Sequence, residues 1–196
     1  MIESTMREPT IAAEPTRHRF TVDEYYRMAD AGILHEDSRV ELIDGEILDR
    51  SPIGPRHARG VRRLSNVIFR ALDDAAVISV QNPIRIDEQN EPEPDLVLAR
   101  HREDEYGDGH PTPEDILLVV EVADSSSAYD RQTKALLYAR AGIADYWIAD
   151  VGRDHVLMLR DPTESGYATT RILRRGEAVS PLAFPNLSLS IDEILG

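Results

Sequence analysis

Seven residues, Ile116–Val122 (ILLVVEV), are apolar except for Glu121. That length and β-branched content predict a central strand covered on both faces, because only there are apolar side chains wanted at consecutive positions. Glu121 breaks the pattern, and an ionised carboxylate in such a strand is costly unless something pairs with it. A shorter apolar run, Asp95–Ala99 (DLVLA), follows Pro92 and Pro94. Proline cannot donate to a sheet ladder, so the two prolines mark where that strand begins, and Asp95 stands at its start. A helix is predicted over Ala128–Ala141, with N-cap candidates at Ser125–Ser127 and a stop at Gly142. Lys134 shares a stripe with Leu137 and Ala141, at +3 and +7, and so occupies an inward position where a leucine is expected.

The remaining periods fill in the elements around this unit. Residues 1–19 carry two prolines and no period, which predicts a mobile tail. Thr21 and Glu24 match a capping box for a helix carrying Tyr25, Met28 and Ala29 and ending at Gly32. Arg39–Arg50 alternates about Asp44-Gly45, the strongest short-range hairpin signal. Either Glu41 or Asp44 could face inward there, although exposure is the commoner state of both residue types. Arg56–Ala75 reads as a helix with Val61, Leu64, Ile68 and Ala71 or Leu72 on its core stripe and His57 in its first turn. A strand is expected over Val77–Asp87, with Pro83 at an edge, a bulge or its far end. The acidic connection 100–115 is long for a compact domain, so it is read as a substrate-side or mobile loop. Beyond the helix, Asp145–Asp150, His155–Arg160, Tyr167–Leu173 and Leu187–Ile191 read as strands joined by Asp-Pro and Gly turns. The order from Arg56 to Asp150 is helix, three strands, helix, strand, an α/β pattern with a mixed sheet.

Composition narrows the classes. The 196 residues, 41% apolar and 30% charged, suit one α/β domain, taken as 20–196 after the tail. The chain has no cysteine, hence no disulfide framework and no thiolate chemistry, which fits a reducing cytoplasm. No apolar run approaches the ~20 residues of a membrane span, and the N-terminus has no apolar signal-peptide core. Neither GxxxxGK[ST] nor GxGxxG occurs, so nucleoside triphosphate or dinucleotide use is unsupported. The formal charge of −14 argues against binding nucleic acid over the whole surface. Arg56, Arg59, Arg62, Arg63 and Arg70 make one helix locally basic, either as a solvated face or as the place where a phosphate backbone is received. His57 admits two readings as well, a surface or capped residue being the commoner and a site residue near the hairpin the sharper.

Taken with Pro94-Asp95 and Glu121-Val122, this order resembles the PD-(D/E)xK nuclease superfamily. More closely, the stretches VELIDGEI, SPIGPRHA, SVQNPIRI, EPEPDLVL, LLVVEVADSS, YDRQTKALLYARAGIADYWIAD and SPLAFPNLSLSIDEIL are similar to the Uma family of restriction endonucleases, over nearly the whole chain beyond the tail. The resemblance implies a restriction-endonuclease-like fold: a mixed sheet flanked by helices, with an added N-terminal hairpin and C-terminal strands. The superfamily pattern places a lysine two positions after the second acid, where this chain has Ala123. The resemblance implies that the amine comes instead from the following helix, at Lys134 of Asp130-Arg-Gln-Thr-Lys134. The alternative for Lys134 is a surface pair with Asp130, worth ~0.3–0.5 kcal/mol.

The chemistry expected of that set follows from the residue types. Asp95, Glu121 and the Val122 carbonyl supply hard oxygen ligands suited to Mg²⁺ or Mn²⁺. Lys134 would position a nucleophile or offset developing negative charge, and Glu41 would hold a second ion or orient water. His57 would contact phosphate or serve as an accessory acid or base, and Arg56, Arg59 and Arg63 would bind the nucleic acid. The expected activity is metal-dependent hydrolysis of DNA phosphodiester bonds. A non-catalytic dimeric nucleic-acid-binding or regulatory module on the same fold is the rival, and a small-molecule phosphate-ester hydrolase a third class. A homodimer is expected because Tyr146, Trp147 and the run Leu182–Leu189 offer more apolar strand than one small sheet covers.

Overall fold

The run around Glu121 forms the third strand of a six-stranded sheet in the computed structural model, which describes residues 16–35, 37–72, 74–124 and 130–196. The chain enters through α1 (Val22–Asp30) and a hairpin, β1 (Val40–Ile43) and β2 (Glu46–Asp49). Then come α2 (Pro55–Leu72), β3 (Ala76–Val80), β4 (Leu96–Arg100) and β5 (Ile116–Ala123). A π turn, Asp130–Lys134, leads into α3 (Ala135–Arg140), followed by β6 (Asp145–Asp150), β7 (His155–Thr163) and β8 (Gly166–Arg174). The chain ends with β9 (Ala178–Val179), β10 (Leu189–Ser190) and α4 (Ile191–Leu195).

The large sheet runs β3-β4-β5-β6-β7-β8, and only β5 and β6 are parallel. A parallel pair needs a crossover, and the segment carrying α3 supplies it. Each face buries its own cluster. Val61, Leu64, Ile68 and Leu72 of α2, with Ile191 and Ile194 of α4, cover Leu96, Val120, Val122 and Trp147. On the other face Ala135, Tyr138 and Ile143 cover Val97, Val119, Ala123 and Ile148. The first turns of α2 sit tight on β5, since a Cβ on Gly60 would lie 2.8 Å from Val122 Cγ1.

The hairpin forms a two-stranded sheet of its own. Asp44 (φ +50°) and Gly45 (φ +68°) make its turn, the two successive positive φ values a tight right-twisted hairpin needs. Thr21 and Glu24 form the expected capping box, with Glu24 N–H donating to Thr21 Oγ1 (3.3 Å) and Thr21 N–H to Glu24 Oε2 (2.9 Å). Of the expected tail, Arg19 is held to the hairpin by a hydrogen bond to the Asp44 carbonyl and an ion pair with Glu46. Residues 1–15 and the Ser125–Ser127 caps lie outside the described residues.

Four expectations change. The strand expected over Val77–Asp87 ends at Val80, because Gln81 adopts φ +52° and the following residues fold back on 90–92. At the C-terminus only Leu189 and Ser190 pair, and the Ser190 side chain then caps α4. The 100–115 connection joins the ends of β4 and β5 remote from Asp95 and Glu121, so it is not on the substrate side. Buried Tyr106 anchors it through a 2.9 Å hydrogen bond to the Arg100 carbonyl. Finally, Tyr146 and Trp147 are fully buried within the chain, and Phe184 and Leu187 of the C-terminal run pack on its core. Part of the apolar surplus from which the homodimer was expected is therefore covered within the chain, while Leu182 of that run stays exposed. No helix among the described residues is long and apolar enough to cross a membrane.

Candidate active site

The last regular pair of the β4–β5 ladder is Leu96 with Val120, so one further antiparallel step sets Asp95 across from Glu121 at the same end of the sheet. Asp95 is 2% exposed. Its Oδ2 accepts the Val122 N–H at 2.8 Å, so the side chain supplies the rung that the ladder would otherwise lack. The same oxygen lies 2.9 Å from His57 Nε2, brought there by the first turn of α2. Gln81, at the left-handed turn that ends β3, donates from Nε2 to Asp95 Oδ1 at 3.2 Å.

Glu121 alternates with Val120 and Val122 and so points to the face covered by α3. There its Oε1 accepts from Lys134 Nζ at 3.0 Å and from the Tyr138 hydroxyl at 3.1 Å. Lys134 and Tyr138 are four residues apart, hence on one helical face, and Lys134 closes the π turn, a distortion frequent at functional sites. Lys134 Nζ also lies 3.1 Å from Glu41 Oε2. Glu41, the inward acid of the hairpin, further accepts the Glu93 N–H at 3.2 Å, whereas Asp44 sits exposed in the turn. Burial, reinforced by the charge of Glu121, pushes the Tyr138 hydroxyl well above the ordinary tyrosine range, so it is a proton donor at any physiological pH.

These groups open on a cleft of about 440 Å³ lined by Glu41, His57, Asp95, Glu121, Val122 and Lys134. Arg39, Asp49, Arg50 and Asp124 complete its charged wall. Burial disfavours the charge on Arg50, but Glu93 beside it, helped by Glu41 and Glu121, overcomes this and holds the guanidinium above its usual range. The donor set fits a hard divalent ion: two carboxylates and a backbone carbonyl border one cleft, leaving the other coordination positions to water. Among the described residues no group of three His, Cys, Asp or Glu side chains stands ready-made for a metal.

The structure thus brings together Asp95, Glu121, Val122, Lys134, Glu41 and His57, and separates them from most of the helix arginines. Arg56 is exposed beside the cleft, 3.9 Å from Asp124, and Arg59 is exposed one turn on. Arg63 is half-buried on the far side, where its guanidinium lies against Gly196. Gln81, Tyr138, Arg39 and Arg50 are site residues that the sequence reading lacked. Alternation with Glu41 marks Arg39, and the i+4 step from Lys134 marks Tyr138. Gln81 becomes visible only through the β3–β4 register.

Residues 22–192 match the family model Uma2, described as "Putative restriction endonuclease". The chain belongs to this family. A crystal structure of "a putative nuclease belonging to DUF820" from Anabaena variabilis ATCC 29413 superposes with a TM-score of 0.69 at 18% identity, covering 90% of this chain and 97% of that one. At that identity the likeness shows a shared fold, a central mixed sheet flanked by helices. No curated protein matches the chain.

Proposed function

We propose that the chain is a metal-dependent endonuclease that hydrolyses DNA phosphodiester bonds. The observation that carries this reading is the meeting of Asp95, Glu121 and Lys134 at one end of the sheet, in one cleft, from three separate elements. The family description and the fold of the neighbouring nuclease support it. Asp95, Glu121 and the Val122 carbonyl would hold Mg²⁺ or Mn²⁺, which when bound supplies an activated water and neutralises charge on the phosphoryl oxygens. Lys134, fixed between Glu121 and Glu41, presents an ammonium where negative charge develops. Tyr138 and Lys134 together fix the orientation of Glu121, and His57 and the Val122 N–H fix that of Asp95. His57 would contact phosphate or serve as an accessory acid or base.

Arg56 and Arg59, exposed beside the cleft, are the proposed outer contacts to the phosphate backbone, and Arg63 joins them only if a ligand draws it from Gly196. With a net charge of −14, affinity at physiological salt should be weak. A reducing cytoplasm is the proposed setting. Cutting both strands of a duplex would use two copies, which light scattering at micromolar concentration would detect. The rival reading, a non-catalytic binding module, draws on the internal donors already engaging Asp95 Oδ2 and Glu121 Oε1. Supercoiled plasmid, linear duplex and single-stranded DNA, each with Mg²⁺ or Mn²⁺, separate the two. Cleavage that disappears in Glu121→Ala supports the nuclease. Activity surviving in that variant, or no cleavage of any substrate by a protein shown to bind Mn²⁺, moves the conclusion to the binding module.

A further inference from the structure

Four cationic or potentially cationic side chains line the cleft: Arg39, Arg50, His57 and Lys134. Three are committed. Lys134 sits between Glu41 and Glu121, His57 lies on Asp95, and Arg50 is paired with Glu93. Arg39 is different: half-buried, it makes no side-chain hydrogen bond or ion pair with any described residue.

The hairpin register explains why it faces the cleft. Glu41 pairs with Leu48 and Val40 with Asp49, so the next step sets Arg39 opposite Arg50, where the Arg50 N–H donates to the Arg39 carbonyl. Positions two apart on a strand share a face, so Arg39 and Glu41 on β1 side, and Leu48 and Arg50 on β2 side, all turn towards the cleft that they line. Two guanidinium groups meet where the two hairpin strands end, Arg50 already paired with Glu93 and Arg39 not, with Glu41 and Asp49 the neighbouring acids on the same wall. A planar fork of N–H donors with no internal acceptor is suited to an oxyanion, above all to phosphate taken two oxygens at a time.

We infer that Arg39, with Arg50 beside it, is the phosphate receptor of the cleft: it grips a phosphate of the substrate strand from the hairpin side while Asp95 and Glu121 stand on the sheet side. The basic face of α2 then contributes outer contacts, and the grip close to the acids comes from the hairpin. The identity of the ligand as a phosphodiester strand rests on the nuclease reading; the anion site itself does not.

The test uses the full-length wild-type protein, Arg39→Ala, Arg39→Lys and, as a control on exposed β8, Arg171→Ala. Inorganic phosphate is titrated while the arginine Nε–H resonances are followed by ¹H–¹⁵N NMR, the Arg39 signal being assigned by its loss in Arg39→Lys. In parallel, anisotropy of a short labelled duplex is measured across a salt series. The Arg39 resonance should move with phosphate. Arg39→Ala should weaken duplex binding about tenfold or more, the effect of one charge-assisted hydrogen-bonding group, and make log K against log salt shallower by about 0.9. Arg39→Lys, which keeps the charge without the fork, should keep the slope and lose affinity; it carries the test if Arg39→Ala does not fold. Arg171→Ala should match wild type. An Arg39 resonance indifferent to phosphate overturns the inference, as does unaltered duplex affinity and slope in Arg39→Ala, which would leave the nuclease reading standing. Phosphate binding through Arg39 in a protein that ignores DNA keeps the anion site and removes the DNA reading.

Discussion

Lys134 Nζ and Glu41 Oε2 lie 3.1 Å apart, although one residue comes from the π turn before α3 and the other from the hairpin, and each is almost wholly buried. The ammonium faces Glu121 as well, so one positive charge is shared between two buried acids across the boundary between hairpin and sheet. Removing a partner from a buried ion pair is costlier than never having built it, because the remaining charge stays in low dielectric. Lys134→Ala is therefore expected to cost about 3–5 kcal/mol and to abolish cleavage. Adding Glu41→Gln and Glu121→Gln to Lys134→Met should recover part of the stability and none of the activity. Urea unfolding of the single and triple variants decides this, and a Lys134→Ala protein as stable as wild type would show that the pair is not coupled.

Tyr138 carries a pH signature. Burial keeps its proton on in the folded chain beyond the pH, near 10, at which an unfolded tyrosine releases it. The folded state then binds more protons than the unfolded one, so the contribution is complete below about pH 10 and is lost as pH rises further. Tyr167, likewise raised by burial, adds to the same decline. Tyr138→Phe should cost about 1.5–3 kcal/mol at neutral pH, through the bond to Glu121, and should show a shallower loss of stability between pH 10 and 11. Denaturant titrations at both ends of that window measure it; parallel slopes for the two proteins would contradict the assignment.

Metal dependence has a readout apart from turnover. A ligand that binds only the folded state stabilises it by mass action, about 2.7 kcal/mol at a hundred times its Kd. Mn²⁺ should raise the melting temperature of wild type and leave Asp95→Asn unmoved. Asparagine can still offer an oxygen to the Val122 N–H, so this variant should fold while losing one ligand charge. A wild-type midpoint indifferent to millimolar Mn²⁺, with no heat of binding, would remove the metal from the proposal.

Gly60 sets the height of α2 over β5. A Cβ at this position would already meet Val122 Cγ1 at 2.8 Å and Val151 Cγ1 at 3.2 Å, so a branched side chain has no space without displacing them. Gly60→Val is expected to cost about 1–3 kcal/mol from overpacking. Because His57 lies one turn earlier on the same helix, activity should fall beyond what stability explains. Thermal melts and kcat measured on the same preparation separate the two effects.

What was legible in the sequence was whatever contradicted its own local pattern. Glu121 in an apolar strand, Lys134 on an apolar stripe and Asp95 after two prolines each violate a rule of their element, and all three are buried at the site. Residues that obey their local rules were silent. Tyr138 passes for an ordinary core aromatic, and period two allowed an inward acid in the hairpin without choosing Glu41 over Asp44. Gln81 depends on a positive φ and a strand register that only tertiary structure fixes. The substrate-side reading of loop 100–115 failed because length marks a loop as unusual without saying at which end of the sheet it emerges.

The hairpin does not join the large sheet; it is tied to the segment before β4 by the Leu42–Glu91 bridge and by the Gly45 N–H, which donates to the Gln89 carbonyl, alongside the Glu41 contacts. The cleft is thus a seam between two panels, with Arg39 on one and Asp95 on the other. A ligand that spans the seam would act as a cross-brace, adding stiffness that neither panel has alone. Amide hydrogen exchange of Val40–Asp49 is then the place where occupancy is felt first, slowing on binding while β5 and β6, already protected on both faces, register almost nothing.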